Sequence, residues 1–341
     1  MVAPGTPRVT VLITLYNKGP FIAEAIGSVL ASTFTDFELL VVDDGSTDDG
    51  PDIVRRFTDP RIRLLMHGHN TGRADAAARG FANARGEFVV VLGADDTMSP
   101  DRIARQVAFM DTHPDVDVCG SAARIFGRVQ HVATWPEDDD TCRARLLFAD
   151  PVLDGAAIFR KATLDRHGIR HEPGWQGPGM DYLFQVAMSP HVRFANLPDV
   201  LTSYRIHEGN VRHGRDPWPD KVRIQRRVFE LLNIPFTEQD VHVHVMLCEL
   251  FGPRPGWRMV FRLHRWRRRL ERLNVERGLF PRELFLDELE RRWARLFHLI
   301  CDRSTRGAIA HLVISRGPFR NLVYLLKVRL KPVRKKMSEP L

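Results

Sequence analysis

The sequence predicts an α/β fold, a parallel sheet covered by helices on both faces, followed by a helical C-terminal region. Short apolar runs alternate with amphipathic segments of about ten residues, which is typical of βαβ units. Right-handed crossovers between such strands produce a parallel sheet. After a segment rich in Pro, Gly and Asp at residues 214–220, the spacing of apolar residues becomes helical.

The elements of the predicted sheet follow in order along the chain. Each predicted strand is a short apolar run of the kind that is buried on both faces. We predict strands at Val9–Leu15, Phe37–Val42, Ile62–Met66 and Phe88–Leu92. Between them we predict helices at Phe21–Leu30, from a cap at Thr47 or Asp48 towards Phe57, and at Ala74–Ala84.

Three helices are predicted in the C-terminal region. Thr237 and Asp240 form a capping-box pattern before Val241–Phe251. Apolar residues recur at helical spacing in Phe261–Leu273 and Glu283–Leu299. We therefore divide the chain into a domain at 1–213, with halves at 1–125 and 126–213, a linker at 214–220 and a basic helical region at 221–341.

Charge separates these regions. Residues 1–200 carry 20 Lys and Arg against 27 Asp and Glu, whereas residues 201–341 carry 30 against 15. The four cysteines show no C-x-x-C spacing, which argues against a zinc site and favours a reducing compartment. Neither a signal peptide nor an apolar run of about 18 residues is present. We expect a cytoplasmic protein, soluble or peripheral at the inner face of the membrane.

Polar clusters follow three of the predicted strands. They are Tyr16-Asn17, Asp43-Asp44 and Ala94-Asp95-Asp96. In parallel sheets, ligands bind beyond the carboxyl ends of the strands. Carboxylates gathered there repel one another unless a cation or donor groups offset them, and magnesium commonly binds one or two carboxylates together with substrate phosphates. A single strand-terminal Asp is equally typical of a turn or helix cap.

The nucleotide-binding patterns G-x-G-x-x-G and G-x-x-x-x-G-K-S/T are both absent. Instead, four segments in succession resemble glycosyltransferase family 2: VTVLITLYNK, FELLVVDDGSTDD, NTGRADAAARG and ARGEFVVVLGADDTMSPDRI. The resemblance covers residues 9 to about 125 and continues more weakly to about 212. It implies a GT-A fold, a Rossmann-like, mostly parallel sheet that binds a nucleotide-diphospho-sugar, with inversion at the anomeric carbon.

The resemblance also implies roles for individual residues. Those matching the donor-binding segments are Thr14, Tyr16, Asn17, Asp44, Asn70, Gly72, Arg73 and Asp95. Asp95 and Asp96 match the acidic motif that binds Mg²⁺ or Mn²⁺, and His207, in a Tyr-Arg-x-His segment, is placed near the metal or diphosphate. Asp181 matches the general base of the family, which removes the proton of the acceptor hydroxyl.

Three positions depart from the family pattern. Thr14 stands where Pro is frequent, Ala77 and Ala78 where Arg-Asn is frequent, and Gly93 where the first Asp of the acidic motif is frequent. The loss at Gly93 weakens the expected metal site. On the acceptor side, Trp175 and Gln176 precede the base, and sugars stack on aromatic faces, although a packed core Trp explains Trp175 equally well.

The expected activity is transfer of a sugar, most often from UDP in this family, to a hydroxyl of a glycan or lipid-linked glycan in polysaccharide biosynthesis. Two alternatives stay open: a catalytically weak nucleotide-sugar-binding or assembly protein, and a nucleic-acid-binding protein that uses the basic tail. No nucleic-acid-binding motif accompanies the tail. Interleaved apolar and basic residues within 320–336 instead favour an anionic membrane surface.

Overall fold

A computed structural model describes residues 5–209, 216–248, 255–315 and 319–330. The chain divides into two compact units. The first contains Met1–Asp220 and Glu230–Asn233, and the second contains Lys221–Phe229 and Ile234–Leu341.

Within the described residues, nine strands form one sheet in the first unit. The strands are β1 (Val9–Leu15), β2 (Phe37–Asp43), β3 (Ile62–Met66), β4 (Phe88–Gly93), β5 (Thr97–Met98), β6 (Val118–Gly127), β7 (His131–Ala133), β8 (Ile158–Arg160) and β9 (Phe194–Ile206). Their order across the sheet is β3-β2-β1-β4-β8-β6-β9-β5, and β7 pairs with β6.

Helices connect and flank these strands. In the N-terminal part they are α1 (Gly19–Leu30), α2 (Gly50–Arg55), α3 (Arg73–Asn83), α4 (Arg102–Thr112), α5 (Asp139–Arg145), α6 (Lys161–Arg166) and α7 (Met180–Met188). The remaining helices are α8 (Pro217–Leu231), α9 (Glu238–Leu247), α10 (Trp257–Arg277), α11 (Arg282–Arg303), α12 (Thr305–Ser315) and α13 (Phe319–Leu330).

The predicted fold is confirmed: a Rossmann-like sheet with flanking helices is followed by a helical C-terminal region. The predicted bounds of β1 and β3 match the structure, and β1 lies between β2 and β4, parallel to both. Leu15 is registered with Asp43, and Thr14 with Gly93. The ends of these three strands therefore meet at one edge, which brings the three polar clusters together.

The sheet is mixed, since β8 runs antiparallel to both β4 and β6. One predicted bound is wrong. The second helix begins only at Gly50, because the Asp48 carboxylate accepts hydrogen bonds from Gly19 N (2.7 Å) and Gly50 N (3.0 Å) and holds the preceding residues in a turn.

The second unit is helical, as predicted. The Thr237–Asp240 capping box is present at the start of α9. Helix α10 is longer than predicted and buries Val260, Leu263 and Leu270. Residues 214 and 215 of the predicted linker lie outside the described residues, as does Phe251. Residues 217–220 form the first turn of α8, where a proline is well tolerated. In the part of the chain that the structure describes, no helix is long and apolar enough to cross a membrane.

A buried polar network ties β1 to β2 and to the turn before β4. Thr10 Oγ1 donates to Glu38 Oε1 (2.7 Å) and accepts from Gly86 N (2.9 Å). Glu38 Oε1 accepts from Arg85 N (2.9 Å), and Glu38 Oε2 pairs with Arg63 (2.5 Å). Because Thr10 is fully buried, each of these groups depends on the network for its hydrogen bonds.

We predict that Thr10→Val lowers the free energy of unfolding by about 1–3 kcal/mol, because it keeps the side-chain shape but leaves the buried Gly86 N–H without a partner and removes one hydrogen bond to Glu38. Urea denaturation measures this loss. Thr112→Val, at an exposed helix position, is the matched control and should change stability by less than about 0.5 kcal/mol. Equal effects of the two substitutions would contradict the importance of the network.

Candidate active site

A cavity of about 390 Å³ lies in the first unit, at the edge where β1, β2 and β4 end. Residues from all three strand ends line it, together with residues from the start of α3, the segment before β8 and the start of α7. Of the donor-site residues predicted from the sequence, those that line this cavity are Thr14, Tyr16, Asp44, Arg73 and Asp95. Asp96 and Asp181 line it as well.

The end of β1 presents Thr14 and Tyr16 to the cavity, and the Tyr16 side chain is exposed. Asn17 does not line the cavity. It adopts a positive φ of 51°, and its Oδ1 accepts a hydrogen bond from Thr47 N (2.8 Å). Asn17 therefore fixes the turn after β1 against the loop after β2.

Asp44 is buried and organises the loop that leads into α3. Its Oδ1 accepts from Thr71 N (2.9 Å) and Thr71 Oγ1 (2.6 Å), and its Oδ2 accepts from Gly72 N (2.8 Å). Gly72 has a φ of 100°, a conformation that favours glycine, and a Cβ there would overlap the amide of Gln176. This tight turn starts α3 with Arg73 at the cavity.

The carboxylate of Asp95, which follows β4, is paired with Lys18, which follows β1. Lys18 Nζ lies 2.7 Å from Asp95 Oδ2, 3.3 Å from His207 Nε2 and 3.3 Å from the carbonyl oxygen of Gly209. Burial alone would raise the pKa of Asp95, but the hydrogen bonds from Lys18 and His207 hold it below its usual value. Asp95 is therefore an anion with a positive charge already beside it.

His207 supports Asp95 from β9. Its Nε2 lies 2.9 Å from Asp95 Oδ2, its Nδ1 accepts from Gly209 N (3.1 Å), and its ring packs on Phe21 with centroids 4.5 Å apart. Because Nδ1 accepts, the hydrogen of the neutral ring is on Nε2, which donates to Asp95. To bind a cation through Nε2, His207 would first have to lose that hydrogen.

Asp96 is buried and lines the cavity. Its Oδ1 accepts from Arg205 N (2.8 Å), and burial, together with the negative charge of Asp95, raises the pKa of Asp96 to about 7. A Cβ at Gly93 would lie 2.5 Å from Asp96 Oδ2. The absence of a side chain at Gly93 therefore leaves room for the carboxylate of Asp96, which gives the departure at this position a structural reason.

Asp181 stands in the first turn of α7 and lines the cavity. The capping residue of this helix is Gly179, with a φ of 90°, rather than Asp181. One oxygen of Asp181, Oδ1, accepts from Tyr182 N (3.0 Å). The side chain is thus oriented by the start of a helix.

Besides Asn17 and His207, four predicted residues do not line the cavity. Asn70 is exposed, and Gly72 is buried beneath Gln176. Trp175 packs against Ala74, Ala77 and Met180, while its Nε1 donates to the carbonyl oxygen of Pro178 (3.1 Å). Gln176 Nε2 donates to the carbonyl oxygen of Thr71 (3.2 Å). Trp175 and Gln176 support the walls of the site, and contact between these two residues and an acceptor stays a prediction.

Three residues of the site were not predicted from the sequence. Lys18 lies directly after the polar cluster of β1, so the strand-end rule was sufficient to find it. Asp154, in a one-turn 3₁₀ helix (Asp154–Ala156), and His171 also line the cavity. No local pattern marks either of them, because the chain brings them to the cavity from outside the strand ends.

The donor atoms around Lys18 fit a divalent cation in their chemistry, since carboxylate and carbonyl oxygens are the ligands of Mg²⁺ and Mn²⁺. Their present arrangement does not form a set of metal ligands. Within the ranges described by the structure, no group of three or more His, Cys, Asp or Glu side chains is placed to hold a metal ion. A cation at Asp95 would require Lys18 Nζ to move away.

Comparison with known proteins identifies the class. Residues 10–143 match the model of Glycosyl transferase family 2. The succinoglycan biosynthesis protein ExoO of Rhizobium meliloti is 40% identical over 219 residues, which cover 60% of this chain and 62% of ExoO. The similarity to glycosyltransferase family 2 thus extends over residues 10–143 of this chain. The alignment spans less than two thirds of the length of ExoO.

A second relative is the Escherichia coli protein WfaP, named UDP-Glc:alpha-D-GlcNAc-diphosphoundecaprenol beta-1,3-glucosyltransferase. It is 26% identical over 211 residues, which cover 60% of this chain and 79% of WfaP.

Solved structures confirm the GT-A fold. S. aureus TarS 1–349, in complex with UDP-GlcNAc, superposes with a TM-score of 0.60 at 17% identity, covering 94% of this chain and 91% of TarS 1–349. The mannosyltransferase PcManGT from Pyrobaculum calidifontis, in complex with GDP-Man and Mn²⁺, superposes with a TM-score of 0.50 at 19% identity, covering 98% of this chain and 89% of PcManGT.

We predict that Lys18→Met tightens the binding of Mn²⁺ to the ligand-free protein at least about tenfold, because it removes a positive charge next to Asp95. The electron paramagnetic resonance signal of free Mn²⁺ measures this affinity.

Lys18→Arg is the matched control, since it keeps the charge and should bind Mn²⁺ as weakly as the wild-type protein. The double variant Lys18→Met/Asp95→Asn should lose the gain. An unchanged affinity in Lys18→Met would show that the ammonium does not compete for the cation position.

Proposed function

We propose that the protein is an inverting glycosyltransferase of polysaccharide biosynthesis, which moves a sugar from a nucleotide-diphospho-sugar, a UDP-sugar by preference, to a hydroxyl of a glycan or lipid-linked glycan. The observation that carries this proposal is the composition of one cavity. It holds a carboxylate at a helix start, Asp181, and a separate charged group at the strand ends, Lys18 with Asp95. Direct displacement at a sugar carbon requires both a base and a stabiliser of the leaving group.

Asp181 would act as the general base. Its Oδ1 is held by Tyr182 N, which orients the carboxylate and leaves Oδ2 to accept the proton of the acceptor hydroxyl. Removing that proton as the new bond forms makes the hydroxyl a better nucleophile.

The strand ends would hold the nucleotide and the diphosphate. Thr14 and Tyr16 line the cavity at the end of β1, beside the loop that Asp44 organises, and would contact the base and ribose. Arg73, at the start of α3, and Lys18 bring positive charge to the same cavity. Both would stabilise the charge that develops on the diphosphate when the sugar leaves. Ala77 lines the cavity, whereas Arg79 does not, so Arg73 is the arginine of α3 available for this role.

The names of the similar proteins support this proposal. WfaP is named for a UDP-glucose donor and a lipid-diphosphate-linked acceptor, ExoO for succinoglycan biosynthesis, and TarS was solved with UDP-GlcNAc. A cytoplasmic site next to the inner membrane surface agrees with an acceptor of this kind.

A divalent cation, Mg²⁺ or Mn²⁺, belongs to the proposal, and PcManGT was solved with Mn²⁺. Asp95, Asp96 and His207 are the residues that would hold it. When bound, such an ion neutralises charge on a leaving diphosphate. In this chain, His207 orients Asp95, and Arg205 N fixes the carboxylate of Asp96.

The second unit supports contact with an anionic membrane surface. On α10, Trp257 and Phe261 are about half exposed and pack edge to face against each other, and Arg258 follows Trp257 directly. Exposed aromatic side chains next to arginine are typical of surfaces that lie on a bilayer. Several arginines of this unit are paired with carboxylates, among them Arg267 and Arg269, so less of the positive charge is available for nucleic acid.

A second candidate, a nucleotide-sugar-binding protein with weak catalysis, is favoured by Gly93 and by the pairing of Asp95 with Lys18. Release of the nucleotide from a bound donor separates the two. A transferase cleaves the donor and transfers its sugar, slowly to water and faster to an acceptor hydroxyl. A binding protein leaves the donor intact.

We predict that Asp181→Asn lowers the rate of UDP release from UDP-glucose, UDP-galactose or UDP-GlcNAc by at least about 100-fold, because the amide cannot accept the proton. The amide oxygen still accepts from Tyr182 N. The donor affinity should therefore stay within about twofold of wild type, and the free energy of unfolding within about 0.5 kcal/mol. Coupled detection of released UDP measures the rate.

Asp165→Asn is the control, since Asp165 is an exposed carboxylate that pairs with Lys161 and does not line the cavity. It should leave the rate unchanged. A rate in Asp181→Asn above half of the wild-type rate would show that another group, or none, acts as the base.

A further inference from the structure

Two polar side chains that line the cavity have buried atoms without hydrogen-bond partners. His171 is almost completely buried, its ring stacks on Phe184 with centroids 3.9 Å apart, and neither Nδ1 nor Nε2 has a partner. In Asp154, Oδ1 is buried and has no partner. Buried polar atoms are normally paired, and leaving them unpaired costs stability. Both residues line the cavity, where a bound ligand can supply the missing partners.

The chemistry of this pair suits a hydroxyl group. Burial lowers the pKa of His171 to about 3, so its ring is neutral and offers one donor and one acceptor. Burial, with the negative charge of Asp181, raises the pKa of Asp154 to about 7. Asp150, Asp181 and Arg73 line the same cavity. A hydroxyl both donates and accepts, so it pairs with a carboxyl group and with an imidazole alike.

We propose that Asp154 and His171 form a sugar subsite, in which they bind hydroxyl groups of a hexose ring. The subsite rests on the proposed transferase function and adds to it the two side chains that recognise the sugar itself. Its position in the cavity with Asp181 places it next to the proposed base. The hydroxyls belong either to the sugar of the donor or to the terminal sugar of the acceptor, and both present the same chemistry.

The stacked ring makes the role of His171 separable from packing. Phe has nearly the same shape and keeps the contact with Phe184, but it has no nitrogen that needs a partner. If His171 recognises a hydroxyl, His171→Phe should weaken sugar binding while the ligand-free protein becomes no less stable. A residue that only packs the core would not show this combination.

The test compares sugar nucleotides with the bare nucleotide by isothermal titration calorimetry. For the donor arm, we expect His171→Phe and Asp154→Ala to weaken binding of at least one of UDP-glucose, UDP-galactose and UDP-GlcNAc about tenfold, while the affinity for UDP stays within twofold. For the acceptor arm, glucose, galactose and N-acetylglucosamine are titrated into UDP-saturated protein, and the same variants should lose about tenfold in affinity for the monosaccharide that binds. A loss in one arm identifies the source of the hydroxyls.

Gln225→Met is the matched control. Gln225 is fully buried with both amide atoms unpaired, but it does not line the cavity. This variant should keep every sugar affinity of the wild-type protein, and its urea midpoint, like that of His171→Phe, should stay the same or rise.

The subsite is overturned if His171→Phe changes neither arm, or if it weakens UDP and the sugar nucleotides equally. If UDP, GDP and dTDP all fail to bind the wild-type protein, the transferase proposal fails. In that case, titration of the free monosaccharides without nucleotide decides on the subsite alone.

Discussion

The site depends on how the chain neutralises carboxylates that the sheet forces together. The register of β1 with β2 and β4 brings the ends of three strands to one edge, and acidic side chains follow two of them. The negative charge of each of these carboxylates is compensated differently. Asp44 accepts hydrogen bonds from the loop before α3, Asp95 is paired with Lys18, and Asp96 is buried against the backbone of Arg205. Only the pair of Asp95 and Lys18 involves a flexible side chain, so it is the part of the site that a ligand can rearrange most easily.

The same edge gives a structural reason for Gly93, where the pattern of glycosyltransferase family 2 frequently has Asp. A side chain there would meet the carboxylate of Asp96, which instead lies in that space. In an acidic motif with one more Asp, a metal ion would neutralise the carboxylates. In the ligand-free protein, Lys18 provides this positive charge. In contrast to these compensated carboxylates, His171 and Asp154, which also line the cavity, have buried atoms without hydrogen-bond partners. Such groups lower stability without a ligand and strengthen binding with one, which is the common compromise at functional sites.

Much of this could be predicted from the sequence, because the strands near the site are short apolar runs whose signal is local. The bounds of β1 and β3 and the capping box at Thr237 required no tertiary information. The strand-end rule located Asp95, and it also covers Lys18, which directly follows the polar cluster of β1 but was not selected. Asp154 and His171 could not be found, because their importance comes from burial beside a cavity that distant segments form together. The antiparallel β8 was missed for the same reason, since three residues carry little periodicity.

The proposed function requires the cavity at the carboxyl ends of β1, β2 and β4 to bind a nucleoside diphosphate. The most direct measurement is the melting temperature of the protein with UDP, GDP and dTDP, each with and without Mn²⁺, for wild type and for Asp95→Asn. A ligand at saturating concentration stabilises the folded state by mass action, so one nucleotide should raise the melting temperature by at least about 3 °C, more so with Mn²⁺, and Asp95→Asn should reduce the shift. No shift with any nucleotide, or an equal shift in Asp95→Asn, would contradict the account.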